Sequence, residues 1–324
     1  MLEHATTESE EISELLSFRA RTLREPTVLF PAVSNLLDRI ENLIHRGVVG
    51  TRAECFPVVG PSGVGKSHAL RYLESRYQKQ MVKRPSTIDR DNYGLMLTNE
   101  ILYVETPSPA SRGALIDVML AALEPYPIPI RQTLAEQRGR LSSLLRRANV
   151  RLIIIDEFQH LIGTKKKTIV AEVADFVKSL LNEKICPIVL AGTEGVLRVM
   201  EETNQLQTRM YSKEVLRPFS WERPDEQDIF RNYLVEMEDH LKFEKKSNLG
   251  DVARAYRIFF ATRGLIGETA RLLDRASEIA TRAGLSSITD NCFAVAIDQA
   301  WILDDKVPCN PFRVKKLPAS RLVS

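Results

Sequence analysis

The fold is decided by Phe56-Pro-Val-Val-Gly60-Pro61-Ser62-Gly63-Val64-Gly65-Lys66-Ser67-His68-Ala-Leu-Arg-Tyr-Leu73, an apolar run that leads through a glycine-rich loop into a helical pattern. Its centre fits G-x-x-x-x-G-K-[ST]. The glycines let the backbone wrap phosphates, and N–H groups at a helix N-terminus supply partial positive charge. We expect Gly60–Ser67 and His68 to contact a nucleotide, with Lys66 at the β- and γ-phosphates and the Ser67 hydroxyl on Mg²⁺.

A second motif, Arg151-Leu-Ile-Ile-Ile-Asp156-Glu157, places two acids after four apolar residues. The carboxyl end of a buried parallel strand lies where ligands of such sheets bind, beside the glycine-rich loop. We expect Asp156 to hold Mg²⁺ through water, and Glu157 to orient or deprotonate the attacking water. The sequence has no N-K-x-D element, which argues against a guanine-specific GTPase.

Two more residues are candidates for the same site. Thr193 ends the apolar run Pro187-Ile-Val-Leu-Ala-Gly-Thr193, where its hydroxyl could bond the γ-phosphate or the lytic water; the alternative is a simple strand cap. Arg209 precedes the last strand candidate and cannot easily reach its own loop. In a ring or filament it can reach the next subunit's γ-phosphate and stabilise charge there. The alternative for Arg209 is an ordinary surface arginine.

Strand-like and helical runs alternate up to about residue 217, which predicts βαβ units. The strand candidates are 55–59, 101–105, 152–155, 187–190 and 214–217. We therefore expect an α/β P-loop fold with a five-stranded parallel sheet flanked by helices. The expected organisation is an acidic N-terminal arm over 1–24, an α/β core over 25–219, a helical lid over 220–305 and a basic tail over 306–324. We expect this tail to order only against a partner.

These motifs, in this order over residues 30–300, resemble the AAA+ ATPases and specifically the TniB/TnsC family of transposition regulators. The resemblance is closest in Leu152-Ile-Ile-Ile-Asp-Glu-Phe-Gln-His-Leu161, and it continues in Asn204-Gln-Leu-Gln-Thr-Arg209 and Gly264-Leu-Ile-Gly-Glu-Thr-Ala-Arg271-Leu-Leu. It implies that the motifs above are Walker A, Walker B, sensor 1 at Thr193 and an arginine finger at Arg209.

For a sensor-2 arginine, the resemblance favours Arg271, which lies four residues after Gly267 where related initiators have a spacing of three. Arg275, or no sensor-2 contact, is the alternative.

The family implies a protein that binds ATP and Mg²⁺, oligomerises on double-stranded DNA as a ring or helical filament, and links a target selector to a transposase. The implied selector is a TniQ-type protein, which in CRISPR-associated Tn7-like transposons brings an RNA-guided complex. The alternatives are a replication initiator or helicase loader, which a C-terminal winged helix would favour, and a signalling or secretion-motor ATPase that binds no DNA.

AAA+ assemblies turn the loops after the second strand and after Walker B toward their substrate. Here the DNA-binding candidates are Arg112, Arg131, Thr133, Lys165, Lys166 and Lys167. Hydroxyls and cations suit phosphate contacts, which position a protein without reading sequence, so we expect sequence-independent binding. For the lysine run, the alternative is a solvated turn.

The composition excludes several classes of protein. With 324 residues, 44% of them hydrophobic and 27% charged, the chain is neither collagenous nor wholly disordered. No apolar run approaches the roughly 20 residues of a membrane span, and no secretory signal is visible, so we expect a cytoplasmic protein without a membrane partner. Four dispersed cysteines predict reduced thiols rather than disulfides or a zinc site.

The net charge of 45 − 42 = +3 indicates no partner, but the charges cluster. Residues 1–14 carry five Glu, residues 131–151 carry six Arg, and residues 306–324 carry five Lys or Arg. This clustering points weakly to a polyanion; solvated helix faces are the alternative.

Overall fold

A computed structural model describes residues 13–21, 29–47, 53–82, 100–124, 132–161, 167–202, 206, 208–210, 212–300 and 307–317. They form two compact units. The core unit lies within residues 31–62 and 66–216, and the helical unit comprises what is described of residues 1–30 and 217–324, together with Gly63–Gly65.

The core unit is built on a five-stranded parallel sheet, as the alternating sequence pattern predicts. Its strands follow the spatial order β2-β3-β4-β1-β5. Their bounds are β1 Cys55–Val59, β2 Ile101–Glu105, β3 Leu152–Asp156, β4 Ile188–Gly192 and β5 Glu214–Val215. Strand β5 is shorter than expected because it lies at the edge and pairs with β1 only at Val58 and Val59.

Every residue of β1, β3 and β4 is buried. Because successive side chains of a strand point to opposite faces, these strands are covered on both sides, as parallel strands normally are. One continuous apolar cluster joins them to the helices over residues 112–123, 134–147, 167–182 and 195–202.

Helices separate the strands of the core unit and make up most of the helical unit. In the core unit they are α2 Pro31–Arg46, α3 Lys66–Val82, α4 Arg112–Leu123, α5 Leu134–Arg147, α6 Lys167–Asn182 and α7 Gly195–Glu202. In the helical unit, α1 spans residues 13–21. It is joined there by α8 Pro224–Leu241, α9 Val252–Thr262, α10 Ile266–Arg282 and α11 Asp290–Ala300.

Arg19 holds helix α1 against the other helices of the helical unit, and this residue is only 7% exposed. Its Nε donates to the carbonyl of Leu241 at 3.0 Å, a second guanidinium nitrogen donates to the hydroxyl of Thr281, and the guanidinium stacks 3.6 Å over the ring of Phe243. Burial lowers the pKa of Arg19. Residues 13–21, which the sequence predicts to belong to an arm, are therefore packed within the helical unit. Residues 1–12 lie outside the described part of the chain.

The expectation that the basic tail orders only against a partner is wrong for residues 307–317. Asn310 is buried and donates to the carbonyl of Ala294 at 2.7 Å. The ring of Phe312 stacks on Phe293 with 5.0 Å between centroids. The charge pattern did not predict these contacts, because they are made by Asn310 and Phe312, which lie between the basic residues of the tail in the sequence. Residues 318–324 lie outside the description.

All four cysteine thiols are free, and only Cys309 is not buried. Burial raises the pKa of Cys55 and that of Cys186 to about 12. Within the described ranges, no helix has both the length and the apolar character needed to cross a membrane.

Candidate nucleotide-binding site

The parallel sheet brings several of the predicted site residues to the carboxyl ends of its strands. Asp156 is in register with Glu105, and Gly192 is in register with Val59. Gly60, which follows β1, donates its N–H to the carbonyl of Gly192 at 3.1 Å. The carboxyl ends of β3, β4 and β1 therefore lie side by side. The glycine-rich loop, the acidic pair and Thr193 are all located at these ends.

The glycine-rich loop has the backbone that its sequence predicts. Gly63 has a φ of 79° and Gly65 a φ of 102°, conformations that side chains with a Cβ rarely adopt. No atom lies within 4 Å of where a Cβ would stand on either residue. Both glycines thus have open space on the side where a Cβ would stand, which suits a bound phosphate chain.

Lys66 is 5% exposed, and its Nζ donates to the carbonyls of Gly60 and Pro61 at 2.8 and 2.9 Å. Burial lowers the pKa of Lys66, while the negative charges of Asp156 and Glu157 oppose this shift. The buried ammonium is complementary to the negative phosphates of a nucleotide. The two nearby acids are complementary to the metal ion that a nucleotide carries.

Asp156 is fully buried, and both oxygens of its carboxylate accept hydrogen bonds. Oδ1 accepts from the N–H of Glu157 at 2.8 Å, and Oδ2 accepts from the hydroxyl of Tyr103 at 2.6 Å. Arg71 lies over the Tyr103 ring, 4.4 Å from its centroid. Sequence reasoning missed Tyr103 because a tyrosine in an apolar strand carries no signal until that strand is paired with β3.

The oxygen donors at the carboxyl ends of these strands fit Mg²⁺. That ion is bound by one or two carboxylates together with phosphate oxygens and water, and a carboxylate at Asp156 and a hydroxyl at Ser67 supply such a set. The described residues contain no group of three or more His, Cys, Asp or Glu side chains placed to bind a metal alone. The site therefore suits a metal that arrives with a nucleotide.

Glu157 has a φ of 54°, in the left-handed region, and its side chain is 37% exposed. Its carboxylate accepts from the side-chain amide of Gln159, which in turn accepts from the backbone N–H of Thr193. Gln159, like Tyr103, had no role in the sequence interpretation, although it lies inside the motif around Walker B. The carbonyl of Thr193 accepts from Val196 at the start of α7, as a strand cap would.

Arg209 donates from its guanidinium to Oδ1 of Asn182, the last residue of α6. Its carbonyl accepts from the N–H of Cys55 at 2.9 Å, which fixes the backbone beside β1. In the single chain, the side chain is thus engaged within the core unit.

Both sensor-2 candidates lie on α10 and form ion pairs there. Arg271 is 66% exposed and pairs with Glu268 at 2.8 Å, and Arg275 is 50% exposed and pairs with Glu278 at 2.8 Å. Neither contact favours one arginine over the other, so both alternatives stay open.

The DNA-binding candidates have mixed surroundings. Arg131, Lys165 and Lys166 lie outside the described residues, as does the side chain of Lys167, the first residue of α6. Thr133 caps α5 in a capping box with Glu136, which gives it a structural role. Arg112 begins α4, and its buried Nε has no hydrogen-bond partner among the residues that the structure describes.

Three of the five described arginines within residues 131–151 form ion pairs in the core unit. These ion pairs are Arg138–Glu183, Arg140–Glu124 and Arg151–Glu100. These contacts support the alternative of solvated, ion-paired helix faces over a polyanion site.

Comparisons with known proteins identify a family and a shared fold. The family model described as "Bacterial TniB protein" matches residues 19–222. The sequence has no match among curated proteins.

Several solved structures resemble the chain at 14–17% identity, which establishes the shared fold. The Aeropyrum pernix Orc1 protein in complex with DNA has a TM-score of 0.61 at 17% identity, over 85% of this chain and 66% of that one. The Orc2 protein of the same organism and Cdc6p from Pyrobaculum aerophilum each have a TM-score of 0.59 at 14% identity, over 86% of this chain and 71% and 70% of theirs. This chain thus spans slightly less than two thirds of the Orc1 protein. The shared fold is that of the AAA+ ATPases.

Proposed function

Because the chain belongs to the bacterial TniB family and is an ATPase of the AAA+ type, we propose that it is an ATP-dependent, DNA-bound adaptor of transposition. In this role it oligomerises on duplex DNA, recruits transposase subunits and receives the target from a TniQ-type selector, in a Tn7-like, CRISPR-associated element. The observation that carries the proposal is the family match over residues 19–222, which includes the glycine-rich loop, Asp156, Glu157, Thr193 and Arg209.

Each residue of the site has a part in hydrolysis. The glycine-rich loop holds the phosphates, and the Lys66 ammonium exchanges its loop carbonyls for phosphate oxygens. Ser67 and Asp156 hold Mg²⁺, which when bound neutralises charge on the phosphates. Glu157 activates the attacking water, since its carboxylate is partly exposed and can accept a proton.

Hydrolysis is completed between subunits. Arg209 leaves Asn182 and reaches the γ-phosphate held by the neighbouring subunit, where a second positive charge stabilises the transition state. ATP binding therefore favours assembly, and hydrolysis limits the lifetime of the assembly on DNA.

The DNA-binding part of the proposal is supported by two proteins of the same fold that were solved with DNA, the Aeropyrum pernix Orc1 protein and the Drosophila ORC. Basic residues near the ends of β2 and β3 are the candidates for contacting phosphates. Without aromatic residues between them, binding is sequence-independent.

Fluorescence anisotropy tests the proposal, with two unrelated duplexes in the presence of a slowly hydrolysed ATP analogue, ADP or no nucleotide. The parent protein is expected to bind both duplexes equally, and only with the analogue. Lys66→Ala should lose nucleotide binding and DNA binding together, whereas Lys213→Ala, an exposed lysine in the core unit, should behave as the parent. ATP hydrolysis without duplex binding in any nucleotide state would contradict the proposal and favour a DNA-free motor.

Pull-down with purified transposase and TniQ-type protein separates the adaptor from a replication initiator or helicase loader. The adaptor should capture both on duplex DNA with the analogue, and neither when Lys66→Ala is used. Failure to capture either partner, with DNA binding intact, would favour the initiator interpretation.

A further inference from the structure

The side chain of Gln159 joins two parts of the nucleotide site. It lies in the 3₁₀ turn Phe158–Leu161, whose first and last residues are buried and anchor it. Its Nε2 donates to Oε2 of Glu157, and its Oε1 accepts from the backbone N–H of Thr193 at 3.1 Å. One amide thus connects the acid after β3 to the end of β4.

The chemistry of these two partners suits an amide at this position. The N–H of Thr193 can only donate, so it needs an oxygen, whereas the ionised carboxylate of Glu157 can only accept, so it needs an N–H. A glutamate at position 159 would keep the first bond and replace the second by repulsion between two carboxylates. A leucine would make neither bond.

Gly192 provides the space for this contact. A Cβ on Gly192 would stand 1.9 Å from Oε1 of Gln159 and 2.8 Å from Cγ2 of Val196. The carbonyl of the same glycine accepts from the N–H of Gly60, the first residue of the glycine-rich loop. Position 192 therefore accommodates the amide and at the same time ties β4 to the loop.

Glu157 is restrained from several directions while its carboxylate stays open to water. Its backbone adopts the left-handed conformation, and its N–H donates to Asp156 at 2.8 Å. The side chain is 37% exposed, and a carboxylate has lone pairs beyond the one that Gln159 occupies.

We propose that Gln159 is a positioning residue that holds the Glu157 carboxylate against the end of β4, in reach of the attacking water. The inference rests on the proposed role of Glu157 in activating that water. A base is effective only when it is held within hydrogen-bond distance of the proton it takes, and the bond from Gln159 removes torsional freedom from a flexible side chain. Because the same amide bonds to Thr193, a shift at the end of β4 is transmitted to Glu157.

The first test compares Gln159→Glu and Gln159→Leu with the parent in steady-state ATP hydrolysis and in equilibrium binding of a fluorescent ATP analogue. Since general-base catalysis is worth about 10²–10⁴-fold, loss of its positioning should lower kcat by about tenfold or more, with KM and the analogue Kd within about twofold of the parent. Gln78→Glu, a substitution at an exposed position of α3, is the matched control. Lower analogue affinity in step with kcat would mean that Gln159 only supports the fold of the site.

Hydrogen exchange at the Thr193 amide gives a readout independent of hydrolysis. In the nucleotide-free protein, exchange should be faster in Gln159→Leu, which lacks the acceptor, and close to the parent in Gln159→Glu, which keeps it. Unchanged exchange in Gln159→Leu would overturn the bond on which the inference depends.

Gly192→Ala displaces the amide without altering Gln159 or Glu157, and should reproduce the fall in kcat. Combined with Gln159→Ala it should add only the cost of the remaining contact with Cγ2 of Val196, because the larger effect of both substitutions acts through one hydrogen-bonded amide. Glu157→Gln separates the two proposals: if it hydrolyses ATP at the parent rate, the role of Glu157 itself fails. If Glu157→Gln is impaired but the Gln159 variants keep the parent kcat, only the positioning inference fails.

Discussion

The hydroxyl of Tyr103 donates a 2.6 Å hydrogen bond to Oδ2 of Asp156, the fully buried acid that ends β3. A side chain of the neighbouring strand thus orients the carboxylate that is proposed to hold Mg²⁺. Burial, then the hydrogen bond and the charge of Asp156, raise the pKa of Tyr103. The phenol consequently remains a donor at neutral pH.

Tyr103→Phe should weaken the metal site and the fold together. It leaves one buried carboxylate oxygen without its donor, which costs about 1–3 kcal/mol in the free energy of unfolding. The Mg²⁺ concentration for half-maximal hydrolysis should rise several-fold. Urea denaturation and a Mg²⁺ titration measure the two effects, with Tyr72→Phe on α3 as control. An unchanged Mg²⁺ requirement would show that Tyr103 does not orient Asp156 for the metal.

Arg209→Ala should leave the ATP affinity of the single chain intact and lower hydrolysis by about tenfold or more, because an arginine finger acts on a neighbour's nucleotide. Mixing it with Lys66→Ala protein should restore part of the activity, since each variant lacks a different half of the composite site. Asn182→Ala, which removes the present partner of Arg209, should not reduce hydrolysis. No recovery at any mixing ratio, with mixed assembly verified by cross-linking, would exclude a role in trans.

Replacing Lys165, Lys166 and Lys167 with Ala should weaken binding of unrelated duplexes about equally. The slope of log K against log salt should flatten by about 0.9 for each phosphate that is no longer neutralised by a lysine. Anisotropy at several salt concentrations with the ATP analogue measures this slope. ATP binding should persist, because Asp156 and Glu157 precede the lysines in the chain, at the end of β3. An unchanged slope would identify the run as a solvated turn and favour Arg112 or Arg131.

The free energy of unfolding should fall as the pH rises above about 9. Burial raises the pKa of Cys55 and Cys186 from 9.0 to about 12, so between these values the unfolded chain holds fewer protons than the folded one. Each thiol should therefore cost about 1.4 kcal/mol per pH unit within this window. Urea denaturation at pH 8 and 10 measures the decrease.

Cys186→Ala should remove one thiol's share of this pH dependence, while Cys309→Ala, at a thiol that is not buried, should remove none. Equal slopes in the parent and in Cys186→Ala would mean that this buried thiol does not resist ionisation.

The sequence by itself determined the fold class and predicted the chemical character of the candidate site. Strands such as Leu152–Asp156 are apolar nearly along their whole length because both faces are covered, and the alternation with helices leaves a parallel sheet as the consistent arrangement. Glycines with positive φ, a lysine and two acids are required locally by phosphate and metal binding. The nucleotide-binding motif could therefore be identified from the sequence alone.

The tertiary structure alone decided which side chains meet. Tyr103 is 53 residues from Asp156, and Thr193 is 34 residues from Gln159, so only the pairing of β2 with β3 and of β3 with β4 brings them into contact. The docking of Arg19 onto α8 and α10, and of Asn310 onto α11, likewise depends on long-range packing that charge patterns do not encode. Periodicity and local motifs reflect interactions between residues that are close in the sequence. Hydrogen bonds between distant elements form only once the sheet and the helices have packed.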